Sequence, residues 1–222
     1  MTQRVAIFDL DRTITKIGTF TPFLLSTRGN TFSKLTLAPN FVGPLVSYVQ
    51  GRLDRVTLKN KMMEIALSNL TTDEIAKHSH SFVDQTLLTG IRPKAIEALK
   101  RHQDNGDYTV LATASVDFYA DLFAEKLGFD KSISTVTNFE KISSGPPTIL
   151  GGNCYGENKL DMVTKKMSGA LEQSRNEQHW TFYSDHHSDI ALFKKVEAPF
   201  VISPNPKTKK KTDALEYPIL NW

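Results

Sequence analysis

Near its start the chain reads Val5-Ala6-Ile7-Phe8-Asp9-Leu10-Asp11-Arg12-Thr13. The apolar run at 5–8 predicts a short strand that is buried on both faces, as the strands of parallel sheets are. Two carboxylates, Asp9 and Asp11, follow this strand directly. Burying a carboxylate at the end of a core strand costs free energy unless a cation or a hydrogen-bond network compensates it. This strand end is therefore a candidate metal site and a candidate nucleophile site.

Similar apolar runs alternate with helical patterns along the rest of the chain. We predict further strands at 108–112, 132–137, 180–183 and 199–202. Strands that alternate with helices imply an α/β fold with a Rossmann-like parallel sheet and right-handed crossovers. Ligands of such sheets bind outside the carboxyl ends of the strands. Since Thr113 and Asp185 follow two of the predicted strands, we expect them to lie near Asp9.

The region between the first two predicted strands has a helical pattern. Residues 57–67 predict one helix, and Thr71 with an acidic first turn predicts the start of another. No strand pattern repeats within this region. We interpret it as an α-helical cap inserted into the sheet domain. The predicted core is 1–15 with 90–222, and the predicted cap is 16–89.

Composition narrows the class of protein. A chain of 222 residues, 40% of them hydrophobic, fits one large domain or a domain with a modest insertion. The net charge of +3 gives no basis for nucleic-acid binding, and we expect no nucleic-acid partner. The single cysteine, Cys154, excludes an intramolecular disulfide and favours a cytoplasmic location. The charged start and the lack of a window of about 18 apolar residues predict no signal peptide and no transmembrane segment.

The residues at the predicted strand ends suit phosphoryl transfer. Asp9 and Asp185 would supply the hard oxygen ligands that Mg²⁺ prefers. A carboxylate is also able to act as a nucleophile through a covalent intermediate. Phosphoryl transfer depends mainly on positioning and on neutralisation of charge. Thr113 offers a hydroxyl for this task, the helix that follows it offers backbone amides, and Lys159 offers a fixed positive charge.

Together these residues resemble the four motifs of the haloacid dehalogenase superfamily, in the same order along the chain. The motif residues are Asp9-Leu10-Asp11-Arg12-Thr13, Thr113, Lys159 and Asp185-His186-His187-Ser188-Asp189. The helical region between the first two motifs resembles the type I cap of that superfamily. Three further stretches are similar to its subclass IB, the phosphoserine-phosphatase-like branch: 111–115, 154–159 and 217–222. The resemblance covers essentially the whole chain and implies a Mg²⁺-dependent phosphatase of phosphate monoesters.

The resemblance implies a role for each residue that would touch the substrate. Asp9 would be the nucleophile that forms an aspartyl-phosphate. Asp11 would be the general acid/base, which protonates the leaving group and then activates water. Thr113 and the backbone amide of Ala114 would bind the phosphate. Lys159 would bridge Asp9 and the phosphate, and it counts among both the catalytic and the phosphate-binding residues.

The same resemblance implies a set of metal ligands. Asp185 would hold Mg²⁺ together with Asp9 and the backbone carbonyl of Asp11. Asp189 would orient that set of ligands or a water bound to the metal, and it counts among the metal-site residues with Asp9, Asp11 and Asp185. Dehalogenases of the superfamily lack the acid at position 11, and its cation-pumping ATPases have Thr there. Asp11 therefore favours a phosphatase or a mutase.

The resemblance leaves the substrate open. Phosphoserine phosphatases carry an acid a few residues after the first motif, where this chain has Lys16, Ile17 and Gly18. Another branch member, the phosphatidylglycerophosphate phosphatase, would make the substrate a phospholipid head group at the membrane surface. A third alternative is a non-catalytic module that binds phosphate or Mg²⁺. The partner is thus a phosphorylated small molecule or a phospholipid head group.

Two segments bear on a peripheral membrane contact. The apolar stretch 35–49 is interrupted by proline, glycine and asparagine, which favours a packed helical hairpin. The basic run 207–211 is typical of a solvated surface, although it would also suit anionic lipid head groups. His186 and His187 would suggest a second metal. Since adjacent side chains tend to point apart, we favour substrate-edge or surface roles for them.

Overall fold

The computed structural model describes residues 3–28, 37–141, 145–170, 178–213 and 215–222. It confirms the predicted α/β class, with a parallel sheet surrounded by helices. The strands are β1 (Gln3–Phe8), β2 (Tyr108–Val116), β3 (Lys131–Thr135), β4 (Gln178–Ser184), β5 (Ala198–Ile202) and β6 (Ile219–Leu220). Their order in the sheet is β3-β2-β1-β4-β5-β6, and all neighbours pair in parallel.

Helices connect these strands within the described part of the chain. They are α1 (Phe20–Ser26), α2 (Val42–Val49), α3 (Arg55–Leu67), α4 (Thr72–Thr89), α5 (Pro93–Asp104), α6 (Asp117–Leu127), α7 (Glu157–Ala170), α8 (Ile190–Phe193) and α9 (Pro206–Asp213). Each of the predicted strands is present, with ends that differ by a few residues. The basic run 207–211 lies in α9. None of the described helices is both long and apolar enough to cross a membrane.

The first strand lies at the centre of the sheet because both of its faces are apolar. Ala6 and Phe8 belong to the hydrophobic cluster on one face, whereas Val5 and Ile7 belong to the cluster on the other face. All four side chains are almost fully buried. Since β2 and β4 flank β1, the carboxyl ends of these three strands meet at one edge of the sheet.

The helical region is joined to the sheet domain by two neighbouring chain segments. Thr15 and Ile91 form an antiparallel bridge, and the N–H of Lys16 donates to the Gly90 carbonyl at 2.7 Å. Among the described residues, 16–89 contain α1 to α4 and contribute no strand to the sheet. Phe23 of α1 packs on Tyr119 of α6 with a ring separation of 4.8 Å. The assignment of this region as a cap stays a prediction.

Two details of the fold differ from what the sequence pattern indicates. The sequence pattern does not predict the C-terminal strand β6. This strand has only two residues that pair with β5, which is too few to show an alternation of apolar and polar side chains. The sequence pattern of 188–195 also predicts one continuous helix, but the helix in the structure is shorter. A single tight turn over His187–Asp189 precedes the four-residue α8.

Candidate active site

A cavity of about 320 Å³ lies at the carboxyl ends of β1, β2 and β4. Its lining includes six residues that the sequence singled out: Asp9, Asp11, Ala114, Lys159, Asp185 and Asp189. Thr113, the remaining predicted residue, is fully buried in the adjoining part of β2. The topology thus brings together side chains that lie up to 180 positions apart in the sequence.

Asp9, Lys159 and Asp189 form a buried charge cluster at the base of this cavity. The Lys159 ammonium donates to Oδ1 of Asp9 at 2.9 Å and to Oδ2 of Asp189 at 2.8 Å. Lys159 is only 2% exposed. Burial alone would lower its pKa, but the two carboxylates reverse that effect and raise the pKa above its usual value. Lys159 is therefore a permanent cation beside the candidate nucleophile.

Burial disfavours the ionised form of two carboxylates of the cavity, Asp9 and Asp185. Burial raises the pKa of Asp9 to about 8, although Lys159 opposes that shift. Burial also raises the pKa of Asp185 to about 7, with Arg12 as the main opposing charge. Within the described part of the chain, the Asp185 carboxylate accepts no hydrogen bond from another residue. Such a site favours the binding of an additional cation.

The donor set fits Mg²⁺. Asp9 and Asp185 both line the cavity and provide carboxylate oxygens, and Mg²⁺ binds few protein carboxylates while it keeps several waters. In the described residues no three or more His, Cys, Asp or Glu side chains converge as a metal cluster. That finding is compatible with a set of two carboxylates and one backbone carbonyl, and it gives no basis for a site rich in His or Cys.

Asp11 has hydrogen-bond partners that differ from those of Asp9. Its Oδ1 accepts hydrogen bonds from the N–H of Thr19 at 2.6 Å and from the Thr19 hydroxyl at 2.7 Å. Its Oδ2 accepts from the Ser115 hydroxyl at 2.9 Å. Sequence reasoning missed Thr19 and Ser115 as partners of Asp11, because neither spacing nor residue type links them to it.

The turn after β1 allows the two aspartates to reach the cavity from one short segment. The N–H of Thr15 donates to the Leu10 carbonyl at 3.0 Å, which closes the turn. Arg12 has a φ of 60°, in the left-handed region that favours glycine. A glycine at this position would adopt the same conformation with less strain.

The segment Thr113-Ala114-Ser115 interrupts the regular pairing of β2 with β3. The register shifts between Ala112 and Val116, so the backbone bulges at this point. The N–H of Ser115 donates to the Thr113 hydroxyl at 3.0 Å. The carbonyl of Ala114 accepts a hydrogen bond from the Thr135 hydroxyl at 2.8 Å and another from the ammonium of Lys59.

The outer part of the cavity is basic and aromatic. The Arg55 guanidinium lies 3.8 Å from the centre of the Tyr155 ring, and both residues line the cavity with His186. The prediction that His186 and His187 point apart is wrong, because their ring centres are 4.2 Å apart. Burial, together with His187, lowers the pKa of His186 to about 4. A neutral imidazole therefore faces the cavity.

Comparison with protein-family models identifies one match. The model described as haloacid dehalogenase-like hydrolase covers residues 6–194. This range includes every residue that the sequence analysis singled out as a candidate for catalysis, for phosphate binding or for metal binding.

Individual relatives match the chain over nearly its full length. The chain is 24% identical to a histidinol-phosphatase of Neisseria meningitidis serogroup C (strain 8013), with 99% of each chain covered. It is 21% identical to a crystal structure of a protein of unknown function from Bordetella pertussis Tohama I, with 99% of each chain covered and a TM-score of 0.86. It is 16% identical to a substrate-bound phosphoserine phosphatase, with 99% of this chain and 93% of the other covered and a TM-score of 0.66. These two structural likenesses concern the fold alone.

Proposed function

The chain belongs to the haloacid dehalogenase-like hydrolases, and on that premise we propose that it is a Mg²⁺-dependent phosphatase of phosphate monoesters. One observation supports this most strongly. The carboxylate of Asp9, at the end of the central strand, forms a buried ion pair of 2.9 Å with Lys159 inside a cavity of about 320 Å³. A carboxylate beside a fixed cation suits nucleophilic attack on a phosphoryl group, because the cation favours the ionised form of the carboxylate and also attracts the negative charge of the phosphoryl group.

The chemistry that we propose has two steps. An oxygen of Asp9 attacks phosphorus, the P–O bond to the leaving group breaks, and Asp11 gives its proton to the departing oxygen. Water then attacks the phosphorus of the aspartyl-phosphate while Asp11 takes its proton, which releases inorganic phosphate and restores Asp9. Bound Mg²⁺, held by Asp9, Asp185 and the Asp11 carbonyl, would neutralise charge on the phosphoryl oxygens.

The other residues of the cavity have supporting roles in this proposal. The Thr113 hydroxyl and the Ala114 amide bind phosphate oxygens, and Lys159 neutralises charge between Asp9 and the phosphate. Asp189 fixes Lys159, because its Oδ2 accepts from both the Lys159 ammonium at 2.8 Å and the Ser184 hydroxyl at 2.7 Å. This double contact makes Asp189 a positioning residue for the site.

We propose a phosphorylated small molecule as the substrate. Two similar proteins carry the names histidinol-phosphatase and phosphoserine phosphatase, which support a small-molecule monoester. The four carboxylates that line the cavity are Asp9, Asp11, Asp185 and Asp189, and all have roles in the chemistry. On the outer side Gly18, Arg55 and Tyr155 offer no carboxylate for a substrate amine. The described lining therefore gives no specific support for phosphoserine over other small-molecule monoesters.

The test is phosphate release by the full chain from a panel of monoesters. The panel contains phosphoserine, histidinol phosphate, glycerol phosphate, sugar phosphates and phosphatidylglycerophosphate in mixed micelles. We expect turnover with Mg²⁺, loss of turnover with EDTA, and restoration by excess Mg²⁺. Asp9→Asn should remove turnover by about 1,000-fold or more, whereas Asp73→Asn, at an exposed position of α4, should not. Equal activity of the Asp9→Asn variant would exclude the mechanism.

A further inference from the structure

Lys59 of α3 is a buried lysine whose ammonium reaches from the helical region into the sheet domain. The residue is 7% exposed, whereas Lys61 on the same helix is exposed. The Lys59 ammonium donates to the carbonyl of Ala114 and to Oδ1 of Asn153, the latter at 2.9 Å. It also lies 5.1 Å from the centre of the Phe20 ring. Its partners are thus neutral groups.

The absence of a carboxylate partner distinguishes Lys59 from Lys159. Among the described residues Lys59 forms no ion pair, whereas Lys159 forms two. Burying an ammonium without a counter-ion is costly, and burial lowers the pKa of Lys59 to about 8 while Asp11 opposes this shift. A buried apolar residue would stabilise the fold better, so stability alone gives no reason for a lysine at this position.

The contact with Ala114 gives such a reason. Ala114 lies in the bulge of β2, where the ladder to β3 is interrupted, and it lines the cavity. A buried carbonyl in a bulge needs a donor from outside the ladder. Lys59 provides one, and the Thr135 hydroxyl provides another at 2.8 Å. The orientation of the Ala114 peptide group therefore depends on Lys59.

The Ala114 peptide group in turn lies between two residues whose side-chain contacts belong to the site. On one side is Thr113, whose hydroxyl accepts from the N–H of Ser115 at 3.0 Å. On the other side is Ser115, whose hydroxyl donates to Asp11 at 2.9 Å. A rotation of the Ala114–Ser115 peptide would disturb both contacts.

We propose that Lys59 is a positioning residue for phosphate binding, which fixes the bulge Thr113-Ala114-Ser115 and adds a positive charge behind it. The inference rests on the proposed function, because it assigns the bulge to the phosphate group of the substrate. It makes phosphate affinity depend on a residue of the helical region. Docking of α3 on the sheet domain and assembly of the phosphate site are then one event.

The test compares Lys59→Met, Lys59→Arg and the matched control Lys61→Met in the full chain. Binding of inorganic phosphate with Mg²⁺ present is measured by calorimetry, and kcat and KM are measured with p-nitrophenyl phosphate. We expect Lys59→Met to weaken phosphate binding by about 10- to 100-fold, the range for a lost hydrogen bond to a charged group. KM should rise by a similar factor. Lys59→Arg should restore part of the affinity, and Lys61→Met should equal the wild type.

The melting temperature separates positioning from a structural role. We expect Lys59→Met to melt no lower than the wild type, since it removes an unpaired buried charge. A well-folded Lys59→Met variant with wild-type phosphate affinity and KM would overturn the inference while the proposed function stands. If Lys59→Met melts at a lower temperature than the wild type, the phosphate affinity of Lys59→Arg becomes the test. A folded Lys59→Arg variant that binds phosphate as weakly as Lys59→Met overturns the inference. A third outcome separates the two proposals. If the wild type binds phosphate more tightly than Lys59→Met but hydrolyses no monoester, the inference about Lys59 is supported and the proposed function is refuted.

Discussion

The ammonium of Lys159 lies 2.9 Å from Oδ1 of Asp9, although 150 positions separate the two residues. Asp9 follows the central strand, and Lys159 belongs to the first turn of α7. Both residues are buried, and the Lys159 ammonium also pairs with Asp189. One lysine pairs with two carboxylates, and within the described part of the chain Asp185 forms no ion pair, so the site is suited to a divalent cation.

The first prediction concerns Asp11 as the proton donor. Asp11→Asn should slow the first chemical step for an alkyl phosphate by about 100-fold or more, because its leaving oxygen needs a proton. The same variant should slow that step much less for p-nitrophenyl phosphate, whose leaving group is a weak base. Single-turnover kinetics measures both rates. Asp104→Asn, at an exposed position of α5, is the control. An equal loss with both substrates would assign Asp11 a different role.

The second prediction concerns Mg²⁺ and stability. Since a ligand that binds only the folded state stabilises it, millimolar MgCl₂ should raise the melting temperature of the wild type above that in NaCl of equal ionic strength. For a chain of this size, each kcal/mol of binding gives about 2–4 °C. Asp185→Asn should abolish the increase, and Asp213→Asn on the exposed face of α9 should keep it. A full Mg²⁺ response in Asp185→Asn would contradict its assignment as a ligand.

The third prediction concerns the turn that carries both aspartates. Arg12 has a φ of 60°, a region in which a side chain costs about 1–2 kcal/mol and glycine costs little. Arg12→Gly should therefore be more stable than Arg12→Ala by about 1 kcal/mol, although both lose the same charge. Urea unfolding without Mg²⁺ measures the difference. Arg52, whose φ is not positive, is the control: Arg52→Gly should not be more stable than Arg52→Ala. Equal stabilities of Arg12→Gly and Arg12→Ala would refute the strain assigned to Arg12.

The sequence predicted the core of the fold because its signals are local and repeated. Apolar runs mark β1, β2 and β4, and a parallel topology forces their carboxyl ends to one edge. Asp9, Asp185 and Ala114 therefore came together as expected. Their roles in the reaction stay predictions.

The contacts of Lys59, Thr19 and Ser115 could not be predicted from the same patterns. A lysine in a helix rich in charged and polar residues is normally exposed, and α3 has charged residues around its circumference. Ser115 is typical of a helix start, so its bond to Asp11 has no separate signal. These contacts depend on how the helical region packs on the sheet. The spacing of apolar residues along the sequence does not determine that packing.

The last prediction follows from the pKa of Lys59 and concerns stability against pH. Burial lowers that pKa from 10.5 to about 8. Between these values the unfolded chain binds a proton that the folded chain does not, so the contribution of Lys59 to stability rises with pH in this window. Below pH 8 the lysine is charged in both states, and the cost of burying its charge is fully present.

Lys59→Met removes this group and its pH dependence. The free energy of unfolding of Lys59→Met minus that of the wild type should be largest at pH 7 to 8. This difference should decrease as the pH approaches 10.5. The total decline should be on the order of 3 kcal/mol, from the size of the pKa change. Denaturant unfolding of both proteins at each pH measures it, and Lys61→Met should give a constant difference. A constant difference for Lys59→Met would show that the ammonium is solvated in the folded protein, because a solvated lysine has the same pKa in both states.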